Sequence, residues 1–240
     1  MKIAIIGYGK MGKMIEKVAK ERGHQTGLII DLENASDLTP ANLKSHDVAV
    51  EFTIPGTAVK NISVCFDAHV PVVSGTTGWQ DHFESLKQRC LDENQSFVYA
   101  SNFSPGVNIL FSLNAKLAGI MNDYPSFSVG MKEIHHIQKL DAPSGTAISL
   151  ASDIIKHHQR YNRWHLTGRE PSGSDSIPVT ALREGTVAGV HEVTYDSDFD
   201  SITLRHAAKN RGGFALGALL AAEFIAGKQG YFTMRDVLGL

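Results

Sequence analysis

With 240 residues, 42% hydrophobic and 20% charged, the chain is ordinary in composition and long enough to bury one large core or two small ones. A net charge of −2 argues against nucleic acid or an anionic membrane surface as a partner, and no apolar run reaches membrane-spanning length. Two cysteines, Cys65 and Cys90, lack metal-ligand spacing and are too few for a disulfide framework; with no secretory leader visible, a reducing cytoplasm is the expected compartment.

Lys2 to Ile6 is a short apolar strand that runs into Gly7-Tyr8-Gly9-Lys10-Met11-Gly12. This G-x-G-x-x-G opens a helix through Met14, Ile15, Val18 and Ala19, ending near Gly23. Between strand and helix, the glycines suit a tight turn that brings a pyrophosphate to a helix N-terminus. A second strand, Thr26 to Ile30, ends at Asp31, about 20 residues on, where an acid accepts hydrogen bonds from an adenosine ribose. A strand-end cap is the plainer role for Asp31. Leu32-Glu33-Asn34 adds no base, which favours NADH over NADPH; Lys10 and Lys13 beside the loop keep NADPH as the alternative.

Asp47 to Phe52 reads as a third strand, Thr53 to Thr57 as a turn and Ala58 to Ala68 as a helix. Val70 to Val73 is a fourth strand, and Ser74-Gly75-Thr76-Thr77-Gly78 is the loop at its end. Ligands of a doubly wound sheet sit at the carboxyl ends of its strands, so this loop is expected on the nicotinamide side. A helix over Phe83 to Leu91 and a fifth strand, Ser96 to Ala100, complete the alternation of a Rossmann-type parallel sheet.

After Gly106 the rhythm changes. Val107 to Met121 is one long helix, and Phe127 to Ile137 is strand-like and delivers His135 and His136. Lys139 and Asp141-Ala142-Pro143-Ser144-Gly145-Thr146 follow, then helical spacing from Ala147 to about His158. Pro143 suits the first helical position, with Asp141 upstream as the cap. Ser144, Gly145 and Thr146 then form a first turn whose amides favour an anion, next to proton-active and cationic side chains. His157 and His158 stand where a helix end favours positive charge and read as structural. Tyr161 to Ser176 is polar and turn-rich. Pro178 to Leu182, Thr186 to Tyr195 and Ser201 to Ala207 alternate as strands of a mostly antiparallel or mixed sheet in a second α/β domain. A final helix, Phe214 to Ala226, leaves a short tail. His135 and His136 as a metal pair is a further reading, but adjacent strand residues face opposite ways, so no metal is expected.

Taken in order, the Gly7 to Gly12 loop, the Gly75-Thr76-Thr77-Gly78 loop and the His135-His136-x-x-Lys139-x-Asp141-Ala142-Pro143-Ser144-Gly145-Thr146-Ala147 stretch resemble the 4-hydroxy-tetrahydrodipicolinate (dihydrodipicolinate) reductases of the diaminopimelate route to lysine. The resemblance implies NAD(P)H-dependent reduction of that small dicarboxylate to tetrahydrodipicolinate. It implies cofactor contacts at Gly7, Tyr8, Gly9, Lys10, Met11, Gly12 and Asp31, with Gly75, Thr76, Thr77, Ala100, Ser101, Asn102 and Phe103 on the nicotinamide side. His135 would be the proton donor and acceptor, Lys139 the second catalytic group, and His136, Gly145 and Thr146 the substrate-carboxylate site. It also implies a dinucleotide-binding domain over 1–104 to which 209–240 returns, a substrate-binding and oligomerisation domain over 105–208, and a homotetramer built through the second domain's sheet. Hinges are expected near Ser104 to Gly106 and Lys209 to Gly213.

The chain departs from the family's pattern at Leu32, where a basic residue is frequent, at Ser101, where proline is frequent, and over 159–176, where it is short. Two other readings share the cofactor half: a different two-domain amino- or imino-acid dehydrogenase, and a protein that senses NAD(H) without catalysis. A sensor has no need of the His-Lys-Gly-Thr cluster.

Overall fold

The apolar runs of the first half pair side by side. β1 (Lys2–Ile6), β2 (Gln25–Ile30), β3 (Val48–Glu51), β4 (Val72–Ser74) and β5 (Ser96–Tyr99) are joined by the chain's last strand, β11 (Gly230–Phe232), into a six-stranded sheet ordered β11-β5-β4-β3-β1-β2. Every pairing in it is parallel. Side chains alternate between faces, yet both faces are covered, as parallel sheets require. Ile3, Ile5, Val48, Val50, Val73 and Val98 pack against α1 (Lys10–Glu21) and α7 (Gly212–Ile225). Ala4, Ile6, Ala49, Val72 and Phe97 pack against α3 (Pro55–Asp67) and α4 (Phe83–Asp92). From β1 the chain steps outward to β2, then crosses back to β3 on the other side of β1. The carboxyl ends of β1 and β3 therefore flank the topological switch, the place where such sheets hold ligands.

The second sheet is ordered β10-β9-β6-β8-β7, from β6 (Ser128–His135), β7 (Arg163–Leu166), β8 (Ser176–Arg183), β9 (Val190–Asp196) and β10 (Ser201–Ala207). β10, β9 and β6 pair antiparallel, whereas β6, β8 and β7 pair parallel, so the sheet is evenly mixed. One face packs Val129, Met131, Ile177, Val179, Val193 and Tyr195 against α5 (Pro105–Met121) and α6 (Gly145–His157). The other is polar, with Lys132 and Arg205 on Glu192 and hydroxyl pairs Thr167–Thr180 and Thr194–Thr203.

The structure, a computed structural model, describes residues 1–168 and 173–240. They form two units, Met1–Pro105 with Arg211–Leu240, and Gly106–Asn210. Among the described residues no helix is long and apolar enough to cross a membrane. Residues 169–172 of the polar tract expected over 161–176 lie outside the described residues.

Several expectations are corrected. The tract holds strand β7, and the C-terminal tail holds β11 and α8 (Met234–Leu238). The turn expected at Thr53 to Thr57 is mostly the first turn of α3, with Pro55 at its start, where proline's missing N–H costs nothing. Between β2 and β3 the chain adds a 3-10 turn, Leu32–Asp37, and the short α2 (Pro40–Leu43). His158 is buried at the end of α6, and burial pushes its imidazole below the ordinary value. It is therefore a neutral packing residue against Tyr161, not the cation a helix end favours.

Candidate active site

The Gly7-to-Gly12 turn has three glycines with three different reasons. Gly7 has φ +96°, and a side chain there would strike the Phe52 carbonyl beneath it. Gly12 brings α1 against the turn: a Cβ would lie 2.1 Å from the Gly7 carbonyl oxygen. Gly9 caps α1 and has open space above it. A cavity of about 280 Å³ runs over Gly7, Tyr8 and Gly9 to Asp31 and Leu32. A second, of about 450 Å³, is lined by Gly9, Lys10, Met11, Phe52, Thr53, Gly75, Thr76 and Thr77. Both open at the ends of β1 and β3. The backbone without side chains at Gly7 and Gly9, the positive end of α1 and the acid at the end of β2 fit a dinucleotide.

Asp31 takes up the capping role as well. Its Oδ1 accepts from Leu32 N–H at 2.8 Å, and Asn34 Oδ1 accepts from Asp31 N–H at 2.7 Å, closing a capping box. The carboxylate is thereby fixed at the mouth of the first cavity.

The Ser74-to-Thr77 loop is fixed from below by Glu51, whose carboxylate is fully buried at the end of β3. Ser74 Oγ donates to it at 2.6 Å, Thr76 Oγ1 at 2.9 Å, and Thr53 Oγ1 in a shorter bond. Thr53 N–H donates to Thr76 Oγ1 at 2.7 Å, and Trp79 Nε1 donates to the Thr76 carbonyl at 2.6 Å. A buried carboxylate persists only with such donors, so one acid ties together the two loops that line the second cavity.

In the second unit, the alternation of β6 puts Glu133 and His135 on its covered face. Glu133 is fully buried. Its Oε1 is 3.2 Å from Arg183 Nη2, and its Oε2 accepts from Ser144 N–H at 3.0 Å. His135 Nδ1 lies 3.4 Å and His191 Nε2 3.8 Å from that same Oε2. Burial pushes the His135 imidazole below its ordinary value; Glu133 opposes that, while Lys139, Arg183 and His136 add to it. Burial first, and His135 second, push His191 down to about 4, so it stays neutral at ordinary pH. Glu133, His135 and His191 have metal-ligand chemistry, but the guanidinium on Glu133 opposes a cation there.

The cap of α6 is Ser144, not Asp141: Ser144 Oγ accepts from Ala147 N–H at 3.2 Å. Pro143 precedes the helix after a cis Ala142–Pro143 peptide. Asp141 lies outside the helix, and both its oxygens hold Lys139 Nζ at 2.8 Å. Lys139 N–H donates to the His136 carbonyl, which folds the short turn between them.

Comparison with known proteins follows this division. The dihydrodipicolinate reductase N-terminus model matches residues 1–103, and the C-terminus model matches residues 106–238. The chain belongs to the dihydrodipicolinate reductase family. A 4-hydroxy-tetrahydrodipicolinate reductase of Christiangramia forsetii is 48% identical over 99% of this chain and 98% of its own length. One of Methanopyrus kandleri is 35% identical over 95% of this chain and 86% of its own length. A dipicolinate-bound dihydrodipicolinate reductase from Paenisporosarcina sp. TG-14 shares the fold, with a TM-score of 0.79, 23% identity and 98% of each chain covered.

In this family member, Gly7, Tyr8, Gly9, Lys10, Met11, Asp31, Gly75, Thr76 and Thr77 line the two cavities. Gly12 lies beneath the turn. Ala100, Ser101, Asn102 and Phe103 do not line these two cavities; Phe103 is a core residue packed on Phe52, and Asn102 Oδ1 accepts from Ser104 N–H. His135, His136, Lys139, Gly145 and Thr146 all fall between the end of β6 and the start of α6. Sequence reasoning missed Glu51, Phe52, Thr53, Glu133, Arg183 and His191. An acid at an inward position of an otherwise apolar strand was the available signal for Glu51 and Glu133.

Proposed function

We propose that this protein reduces 4-hydroxy-tetrahydrodipicolinate to tetrahydrodipicolinate, with NADH preferred over NADPH. The observation that carries the reading is the pairing of a dinucleotide crevice with a buried histidine, a lysine and a helix start in a chain 48% identical to a curated reductase of that name. Residues 1–104 with 209–240 act as the dinucleotide-binding domain, and 105–208 as the domain for substrate and for assembly. The exposed polar face of the second sheet is the surface through which a homotetramer forms. Two buried thiols suit a cytoplasmic enzyme.

When bound at this crevice, a reduced nicotinamide would supply hydride, and the 4-hydroxyl would leave as water with one proton. Gly7 to Gly12 and Asp31 hold the pyrophosphate and ribose; Gly75, Thr76 and Thr77, with Ala100 to Phe103, form the nicotinamide side. Lys139, His136 and the first-turn amides at Gly145 and Thr146 hold the carboxylates, through charge and the positive end of α6. His135 supplies the proton. Burial first, with Lys139, Arg183 and His136, disfavours its imidazolium, and a dicarboxylate beside it would work in the opposite direction, with Glu133. NADH is favoured because Leu32 places no cation beside Asp31 to meet a 2′-phosphate.

The test is oxidation of NADH and of NADPH, at matched concentrations, with enzymatically generated 4-hydroxy-tetrahydrodipicolinate. Rapid oxidation with NADH ahead is expected, and His135→Ala or Lys139→Ala is expected to cut turnover by roughly 10²- to 10⁴-fold with the fold retained. Folded protein that binds the dinucleotide but oxidises neither form would overturn the activity, and an unchanged rate in a purified variant would overturn that residue's role.

A further inference from the structure

We propose that Glu133 and Arg183 are the positioning pair of the active site: Glu133 fixes the His135 imidazole with its proton on Nδ1, and Arg183 fixes Glu133 and the loop that carries Lys139. The inference rests on the reading of His135 and Lys139 as the catalytic groups.

Position 133 belongs by its pattern to the core. Val129 and Met131 precede it on the same face of β6, both buried in the apolar cluster. An apolar residue would pack there without the desolvation that a carboxylate and a guanidinium suffer, and which their attraction seldom exceeds. Stability therefore does not account for the pair; what it contacts does.

Glu133 Oε2 already accepts from Ser144 N–H, the cap residue of α6, so the carboxylate is anchored at a helix N-terminus. From there it faces His135 Nδ1 at 3.4 Å, an ion-pair distance, and that nitrogen is enclosed and makes no hydrogen bond. An anion facing Nδ1 keeps the proton on it, as outer carboxylates do for working histidines. That leaves Nε2 for the substrate. Nε2 lies against Gly189, where a Cβ would come within 3.1 Å of it, so a side chain at 189 would crowd this edge of the ring. His191, opposite Glu133 in the β6–β9 register, meets the His135 ring edge-on at 5.1 Å between centroids and holds it from turning.

Arg183 stands opposite His135 in the β6–β8 register. It donates to Glu133 Oε1 and also to the carbonyls of Lys139 at 3.2 Å, Asp141 at 2.6 Å and Leu182 at 2.7 Å. A planar fork with five donors can serve all four acceptors; a lysine cannot. One side chain thus references both catalytic residues to the same strand.

The decisive measurement is the 15N spectrum of the histidines in the native protein above the His135 titration, assigned with His135→Gln. A neutral His135 protonated on Nδ1 is expected, and one protonated on Nε2 overturns the proposal. It uses no substrate, so it can fail while reductase activity stands, and the activity assay can fail while it stands. In parallel, Glu133→Gln is expected to lower kcat by roughly 10²-fold with KM changed by no more than about twofold, the signature of a misaligned group rather than lost binding. Arg183→Lys is expected to raise KM by roughly tenfold through the loosened Lys139 loop. A folded Glu133→Gln with native kcat also overturns the proposal; should that variant fail to fold, the native spectrum alone decides.

Discussion

Gly9 and Gly12 sit three residues apart in the same loop, yet their substitution by alanine is expected to fail in opposite ways. At Gly12 the new Cβ would stand 2.1 Å from the Gly7 carbonyl oxygen, well inside the 3.0 Å that real Cβ atoms respect. Gly7 has little room to move aside, because a Cβ built on it would lie 2.1 Å from the Phe52 carbonyl oxygen and its N–H is bonded to Ile30 O at 2.9 Å. Helix α1 must shift instead, against Ile15 and Ala19 in the core. Overpacking of this kind costs about 1–3 kcal/mol, or roughly 2–12 °C in Tm for a chain of this size. At Gly9 nothing lies within 4 Å of the new Cβ, and the backbone, at φ −76°, accepts alanine. The poorer helix cap costs about 0.5–1 kcal/mol, and a less flexible unfolded chain returns about 0.4–1 kcal/mol. Stability should therefore change little, while the methyl intrudes on the cavity proposed for the pyrophosphate and is expected to raise the Kd for NADH by about tenfold or more, some 1.4 kcal/mol. Thermal melts of the free proteins and calorimetric titration with NADH separate the two. Native affinity in Gly9→Ala, or a native melt in Gly12→Ala, refutes the assignment of the loop.

Leu32 is 88% exposed beside Asp31; Leu32→Arg is expected to move the ratio of NADPH to NADH kcat/KM upward by roughly tenfold, and an unchanged ratio in initial-rate assays would rule out this position as the discriminator. Arg22 holds Glu223 with two bonds at 2.8 and 2.7 Å, and His24 adds a third at 2.7 Å; the Arg22 bonds are the main reason the Glu223 carboxyl lies below its ordinary value. A depressed carboxyl stabilises above its unfolded pKa and loses that effect as pH falls through its folded one. Glu223→Gln should thus lower Tm by about 1–4 °C near neutrality, from roughly 0.5–1 kcal/mol, with the gap closing below about pH 4; a gap that persists in acid contradicts the ion-pair account. Burial pushes the Cys90 thiol up to about 11 and Cys65 higher still. Both should resist a disulfide reagent in the native protein and react in denaturant, and rapid native labelling would contradict their burial.

The strands and helices that line the cofactor crevice were legible because each is a periodic apolar run next to a glycine turn. Gly7, Gly9 and Gly12 are local signals, as is the His135-to-Thr146 stretch. β7 and β11 were not legible: strands of four and three residues hold too few alternations to stand out from a loop. Asp141 looked like the α6 cap because it lies just upstream of Pro143, but α6 starts at Gly145 with Ser144 as its cap. The Glu133–Arg183–His191 cluster was illegible for a different reason. Glu133 meets His191, and His135 meets Arg183, only through the registers of β6 with β9 and with β8. Pairings across 50 residues are set by the whole sheet and leave no trace in a local pattern.

The strand order of the first sheet has a consequence for synthesis. When residue 105 leaves the ribosome, β5 still has an open edge, because β11 is not yet made. The face bearing Val50, Val73 and Val98 is also bare, because Ala215, Ala218, Leu219, Ala222 and Ile225 of α7 cover it. At translation speeds of about 5–20 residues per second, that condition lasts on the order of ten seconds. Gly106–Asn210, a continuous stretch, completes its own core in the meantime. The half that begins first is covered last, so until α7 and β11 are made its apolar sheet face is a surface for chaperones to guard.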